Sequence, residues 1–339
     1  MIFLSVFIDL LGPDRQLFYT THNSDILDMD LPKHSFAFMR RNELGENGLI
    51  RSFGSAPSSW VELMEKLTVE RYRNKISVSG LPNALQIILR TDGAVNGILK
   101  DNKAELMGEP VSPELAERIK SIYAMKPDHI LTTNYSYEIE AAATGRKSIS
   151  ENMISNMQKH TSEVDRCEGQ YMIHTYIDAA GIPVWHIHGE ARKIQSIVLG
   201  HYWYGTLLSK YLTIMDKRRS EYKDNDKDGV YKVKSWLDAV VMGDVYVLGF
   251  DFDVSEIDLW WLLNRKRHEF SERKGKLYFY SNDDSGDFNE KEELLKVCGA
   301  EVIHCNELPM PGALSSNKYA NYNDAALMDI EKKIRVNRQ

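Results

Sequence analysis

Val245-Tyr-Val-Leu-Gly-Phe-Asp-Phe-Asp-Val-Ser-Glu-Ile-Asp258 opens on four apolar residues, breaks at a glycine, and passes through acidic turn residues into a stretch of helical composition. A short run that is apolar on both pleat faces reads as a strand buried on both sides. Ser255 can cap the helix that follows, with Glu256 and Asp258 in its first turn, where negative charge suits the helix dipole. The same sentence is then repeated. Lys276-Leu-Tyr-Phe-Tyr-Ser281 reads as a strand and Asn289 to Val297 as a helix stopped by Gly299. Glu301-Val-Ile-His-Cys305 is a further strand. Upstream, Asp128-His-Ile-Leu-Thr-Thr133 has the same apolar character. Strands alternating with helices of this length are βαβ units, so the expected class is α/β, a parallel sheet with helices on both faces. Such sheets bind ligands at the carboxyl ends of their strands.

Working outward, the 339 residues suit two domains, or one with an appendage. A 43 % hydrophobic and 27 % charged composition is that of a globular chain able to bury a large core. Net charge is −7 and the pI about 5.9, so dedicated nucleic-acid binding is not expected. Three scattered cysteines, Cys167, Cys298 and Cys305, offer no Cys-x-x-Cys pair. Neither a zinc ribbon nor a disulfide framework is expected, and a reducing cytoplasm is. The apolar start, Met1 to Leu11, is too short to span a bilayer, is interrupted by Asp9 and lacks a preceding basic region.

Residues 1–53 form a small α+β appendage in this reading. Gln16 to Thr20 and Ser35 to Met39 are strand-like, and Glu43-Leu-Gly-Glu-Asn-Gly48 reads as a hairpin turn. Residues 54–65, beginning with the small-residue run Gly54 to Ser59, are a linker. Residues 66–310 make the main domain and 311–339 an extended or frayed tail. Helical spacing is expected over Pro113 to Lys120, with Ser112 as cap, and Glu221 to Gly229 reads as an exposed loop.

Three segments carry polar residues suited to chemistry. In Ile130-Leu-Thr-Thr-Asn-Tyr-Ser-Tyr-Glu-Ile-Glu140, a strand end presents Asn134. Its amide can cap the next helix, or offer a donor and an acceptor to a sugar or carboxamide. In Val184-Trp-His-Ile-His-Gly-Glu190, alternation places His186 and His188 on one side of a strand. An imidazole there suits general-base work or a satisfied structural role; with no third ligand at a helpful spacing, no metal site is expected. In Val245 to Asp258, Gly249 would let a ligand approach the backbone, and Asp251 or Asp253 sits near the sheet edge. Trp260 and Trp261 read as core aromatics.

In order and spacing, the strand-Thr-Thr-Asn-Tyr-helix, the later His-Gly strand and the still later strand-Gly turn resemble the sirtuin-like domain family, nearest to its bacterial phage-defence members. Ser196 to Gly200 with His201 and Tyr204 resembles abortive-infection relatives. The likeness covers about Pro127 to Cys305. It implies a Rossmann-like fold and NAD or an ADP-ribose-type molecule as substrate or ligand, with NAD hydrolysis between ribose and nicotinamide as the activity. A non-catalytic sensor of the same ligand, or a scaffold subunit of an ATPase-containing defence complex, is the alternative. Carried residue by residue, the likeness implies catalytic roles for Asn134, which contacts ribose and orients water, and His188, the general base. Cofactor contacts would come from Thr132, Thr133, Tyr135, Gly189, Gly249 and Asp251, the last standing where serine is commoner. The family's glycine-rich phosphate loop has as its counterpart only Ser77-Val-Ser-Gly-Leu-Pro82, so Ser79 and Gly80 are the phosphate-facing candidates. The zinc ribbon of the protein-deacylating members is missing.

Gln16-Leu-Phe-Tyr-Thr-Thr-His-Asn-Ser-Asp-Ile-Leu27 resembles the end of an ABC-type or AAA-like ATPase domain, in which His22 would sense a γ-phosphate. No G-x-x-x-x-G-K-[ST] loop occurs, so this block cannot hydrolyse ATP alone. It reads as a remnant, a truncated start, or a docking element for a partner ATPase. The expected partners are therefore a nucleotide, a partner ATPase and a second copy of the chain in a homo-oligomer, with no membrane.

Overall fold

The computed structural model describes residues 38–41 and 47–50 as backbone, and then 107, 110–161, 171–198, 201–224, 233–250, 252, 256–270, 275–283, 289–310 and 318–337. His22, Ser79, Gly80, Asp251, Asp253, Ser255 and the 54–65 linker lie outside them. The chain divides into two compact units, Met1–Gly93 and Ala94–Gln339.

In the first unit, β1 (Phe38–Arg41) and β2 (Asn47–Ile50) pair antiparallel, Phe38 opposite Ile50 and Arg41 opposite Asn47. Two strands therefore pair as the expected hairpin does, and the residues between them, 42–46, lie outside the described residues.

The second unit holds, in chain order, α1 (Pro113–Ala124), β3 (Ile130–Thr132), α2 (Glu138–Ala143), α3 (Glu151–Met157), β4 (Gln158–His160), β5 (Thr175–Ala179) and β6 (Ile182–His186). There follow α4 (His201–Lys217), α5 (Arg219–Asp224), α6 (Trp236–Met242), β7 (Val245–Val247) and α7 (Ile257–Phe270). The unit ends with β8 (Leu277–Ser281), α8 (Glu290–Val297), β9 (Ala300–His304) and α9 (Lys318–Asn337).

β7, β8 and β9 form a wholly parallel sheet in that order, with Val245 opposite Leu277 and Leu277 opposite Ala300. Alternation along each strand decides what covers each face. Val245, Val247, Leu277, Phe279 and Val302 pack into the main core with Trp236, Leu262, Leu263 and Leu295 from α6, α7 and α8. Tyr246, Leu248, Tyr278, Tyr280 and Ile303 face the other way, against Tyr322, Ala326, Leu327 and Ile330 of α9 and the end of α1. Helices therefore cover both faces, which is why both faces are apolar. Removing one Leu or Phe side chain from water contributes about 1.5–3 kcal/mol, so a two-sided strand gains on each face.

The remaining strands form a second, mixed sheet in the order β3-β6-β5-β4, in which only β3 and β6 run parallel. The strand expected over 128–133 is thus present, but among the described residues it pairs with β6 rather than with β7, β8 or β9. Its neighbours come from a hairpin that the strand-helix alternation does not announce. β5 and β6 pair antiparallel around Ala180-Gly181, both in left-handed backbone (φ 52° and 85°). Trp185, Ile187, Tyr204, Leu207 and Tyr211 join this sheet to the main core.

Local signals hold at several ends. Ser112 caps α1 through Leu115 N to Ser112 Oγ at 3.2 Å. Asn289 caps α8, its side chain accepting from Lys291 N and Glu292 N, and Gly299 ends it at φ 90°. Two expectations are corrected. The tail expected to be extended or frayed contains α9, because Tyr322, Ala326, Leu327, Ile330 and Ile334 recur at helical spacing and bury against the tyrosine face of the sheet. The loop expected from Glu221 begins as helix, α5. No helix among the described residues is long and apolar enough to cross a membrane.

Candidate functional site

β3 and β6 run side by side and end at the same level, so the loops that leave them meet. Ile187 N donates to Thr132 O at 3.0 Å and Ala191 N to Tyr135 O at 2.9 Å. The Tyr135 hydroxyl reaches Val198 O at 3.3 Å, and Asn134 N donates to Thr132 Oγ1 at 3.1 Å. Thr132, Thr133, Asn134 and Tyr135 are thereby stitched to the turn that carries His188 and Gly189. Asn134 does not cap α2: the cap position is Tyr137, and the Asn134 side chain is exposed.

His186 is the last residue of β6, and the chain turns there, Gly189 N donating to His186 O at 3.0 Å. The two histidines therefore do not share a strand face, as alternation alone would have it. Gly189 makes this turn possible. It sits at φ 97°, and a Cβ in its place would stand 2.3 Å from Ser196 O and 2.6 Å from Ile197 Cα. The turn is closed beyond it by Val198 N to His188 O at 2.8 Å and Glu190 N to Ser196 Oγ at 3.1 Å.

His188 is 2 % exposed. Its Nε2 lies 3.1 Å from Asp258 Oδ2, and that same oxygen accepts the Tyr211 hydroxyl at 3.0 Å. Tyr204 stands edge-on to the ring at 5.2 Å. Burial pulls the imidazolium pKa down, but the facing Asp258 carboxylate, with Glu256 behind it, outweighs burial and leaves it above its ordinary value. Asp258 was expected to serve the helix dipole from the first turn of α7. It does stand in that first turn, and it is also wholly buried and turned onto His188, a pairing across 70 residues that no local pattern announces.

His186 has a different set of partners. Its Nδ1 is 2.7 Å from Asn134 O and its Nε2 is 2.8 Å from Glu140 Oε1. Beside it, Glu190 accepts from Tyr137 at 2.9 Å and from Arg192 Nη2 at 2.7 Å, and Arg192 also reaches Gln158 and Ser155. Burial again pulls the His186 imidazolium down, and Glu140 then Glu190 overcome it, raising the ring to about 9. The expected structural histidine is found here.

Gly249 lies in a different hollow. At φ 68° it follows β7, and it lines a cavity of about 390 Å³ with Phe279, Ser281, Asn282, Asp283 and Asn289, at the carboxyl end of β8 and the start of α8. Neither Asn134 nor His188 lines this cavity. Ser281 bonds Glu292 and receives Asp283 N at 3.1 Å, while Asn289 Nδ2 bonds Asp283 at 2.8 Å. These polar groups escaped the sequence reading, although Ser281 ends a buried strand and Asn282 and Asp283 follow it directly, which is itself the signal for a ligand edge. Among the described residues no three His, Cys, Asp or Glu side chains come together to hold a metal ion. No protein-family model matches the sequence, and no curated protein matches it.

Proposed function

We propose that the Ala94–Gln339 unit is a Rossmann-like, sirtuin-like nucleotide-binding domain that takes NAD and hydrolyses its nicotinamide–ribose bond, in the phage-defence setting the resemblance implies. The observation that carries this is the Asp258–His188 pair set behind the Thr132–Tyr135 loop, at the carboxyl ends of two parallel strands. Asp258 on Nε2 leaves Nδ1 as the nitrogen available to accept a proton. Asn134, exposed on the same loop system, offers an amide to ribose and to water. In the reaction, water adds at the ribose carbon as the bond to the nicotinamide nitrogen breaks, giving ADP-ribose, nicotinamide and a proton. Positioning and electrostatics supply most of the rate in such a step. The hollow at Gly249, Ser281 and Asn282 is the place this reading gives to the nucleotide end, where Asn282 and Asp283 suit a vicinal diol. The test is nicotinamide release from NAD by the full chain. Release that is lost in Asn134→Ala and in His188→Ala supports the proposal, and release untouched by both rejects it.

The near-complete burial of His188 favours a second reading, a sensor that binds NAD or ADP-ribose without turnover. It expects thermal stabilisation by either ligand, with no nicotinamide formed by any variant.

A further inference from the structure

His186 makes two short contacts, and both partners are acceptors. A backbone carbonyl, Asn134 O, can only accept, and a carboxylate oxygen, Glu140 Oε1, accepts unless it carries the proton itself. A neutral imidazole has a single N–H and satisfies one of them, leaving two lone pairs opposed at under 3 Å inside a region where His186 is 1 % and Glu140 0 % exposed. The arrangement closes without conflict when both ring nitrogens donate. The charged groups around the ring fit that state. Glu140 comes from α2, Glu190 from the turn after β6, and Arg192 pairs with Glu190 at 2.7 Å. Tyr137 meets the ring edge-on at 5.4 Å, and Tyr123 of α1 senses Glu140.

We infer that His186 is a positioning residue for Asn134: held as a doubly protonated ring by Glu140, it grips the Asn134 carbonyl and so sets where the Asn134 amide is presented. The inference rests on the reading of Asn134 as the group that meets the ribose, but its geometry can be tested apart from turnover. Its neighbour His188 touches the reacting region through a separate partner, so the two histidines divide the work. His186 holds the loop through α2, and His188 is tuned through α7.

The experiment uses the full chain with ring-nitrogen NMR, amide exchange and NAD turnover, on the wild type, His186→Phe and Glu140→Gln. In the wild type at neutral pH, both His186 nitrogens are expected to give protonated signals. In Glu140→Gln the amide can donate to Nε2, so the ring goes neutral while keeping Nδ1–H on Asn134, and exchange over 133–137 stays as in the wild type. In His186→Phe, exchange over 133–137 and at Ala191 is expected to rise, with the β7–β9 sheet unchanged. Where the chain turns NAD over, kcat of that variant should fall by about 10²-fold, the effect of an ångström-scale misplacement, with KM moving less. A neutral His186 ring in the wild type overturns the inference, and this reading needs no variant to fold. Unchanged exchange over 133–137 in a folded His186→Phe overturns it as well. Absence of NAD turnover and binding in the wild type removes the parent reading but leaves the ring-state and exchange results to decide the brace.

Discussion

Replacing Gly189 by alanine tests the turn on which the candidate site is built, and its cost can be assembled from two parts. At φ 97° the backbone lies where an L side chain is strained, at about 1–3 kcal/mol. The added methyl would meet Ser196 O at 2.3 Å and Ile197 Cα at 2.6 Å, both backbone atoms that cannot swing aside as a flexible side chain would. Forcing that segment outward is overpacking, at about 1–3 kcal/mol more. It would also loosen Val198 N to His188 O and Glu190 N to Ser196 Oγ. The expected loss is about 2–6 kcal/mol, which for a unit of this size lowers Tm by about 4–24 °C. Gly181→Ala is the matched control. It too has positive φ, at 85°, but nothing lies within 4 Å of its added Cβ, so only the conformational part applies. Urea and thermal unfolding of both variants separate the two parts. If Gly189→Ala proves no more costly than Gly181→Ala, the close approach of the two loops is not as described and the reasoning fails.

The His186 contribution to stability should fall as pH rises from 6.5 to about 9. The folded-state pKa of His186 is raised to about 9, so the proton it binds more tightly in the fold stabilises fully below 6.5 and is lost through that window. The loss is on the order of 3 kcal/mol, and denaturant midpoints across the range should flatten in Glu140→Gln. Leu327→Ala, at a buried position of α9 facing Tyr278 and Tyr280, should cost about 2–4 kcal/mol in urea unfolding; a neutral outcome would mean the helix is not docked. Lys266→Met removes the ammonium that bonds Val240 O at 2.6 Å and Gly243 O at 3.0 Å at the end of α6. Leaving those carbonyls without it should cost about 1–3 kcal/mol in the same assay.

The parallel sheet was legible because β7 and β8 are apolar on both pleat faces, β9 sends Val302 and Ile303 to opposite faces, and helices with ordinary caps, Asn289 and Gly299 among them, separate the strands. Here local pattern and tertiary environment agree. The second sheet was not legible from that alternation. Its strands are three to five residues long, and the β5–β6 turn relies on Ala180 as well as Gly181 in left-handed backbone. Gly181 between two strand-like runs was the one available signal. α9 shows the same lesson in reverse: a polar, charged segment hides a narrow apolar stripe whose partner, the tyrosine face of β7 and β8, lies far upstream. At the site, residue types could be read but not partners. The spacing His186-Ile187-His188 says nothing of Glu140 or Asp258, the two carboxylates that give the rings different partners.

Under the proposed function, one nucleotide would be held both by the strand-end loops around Asn134 and Gly189 and by the separate hollow at Gly249. An amide-resolved NMR titration of the full chain with ADP-ribose tests this most directly. Saturable shifts are expected at Thr133, Asn134, Gly189 and Gly249 with one common dissociation constant. Saturation that leaves these four amides unmoved, or no saturation at millimolar ligand, would contradict it.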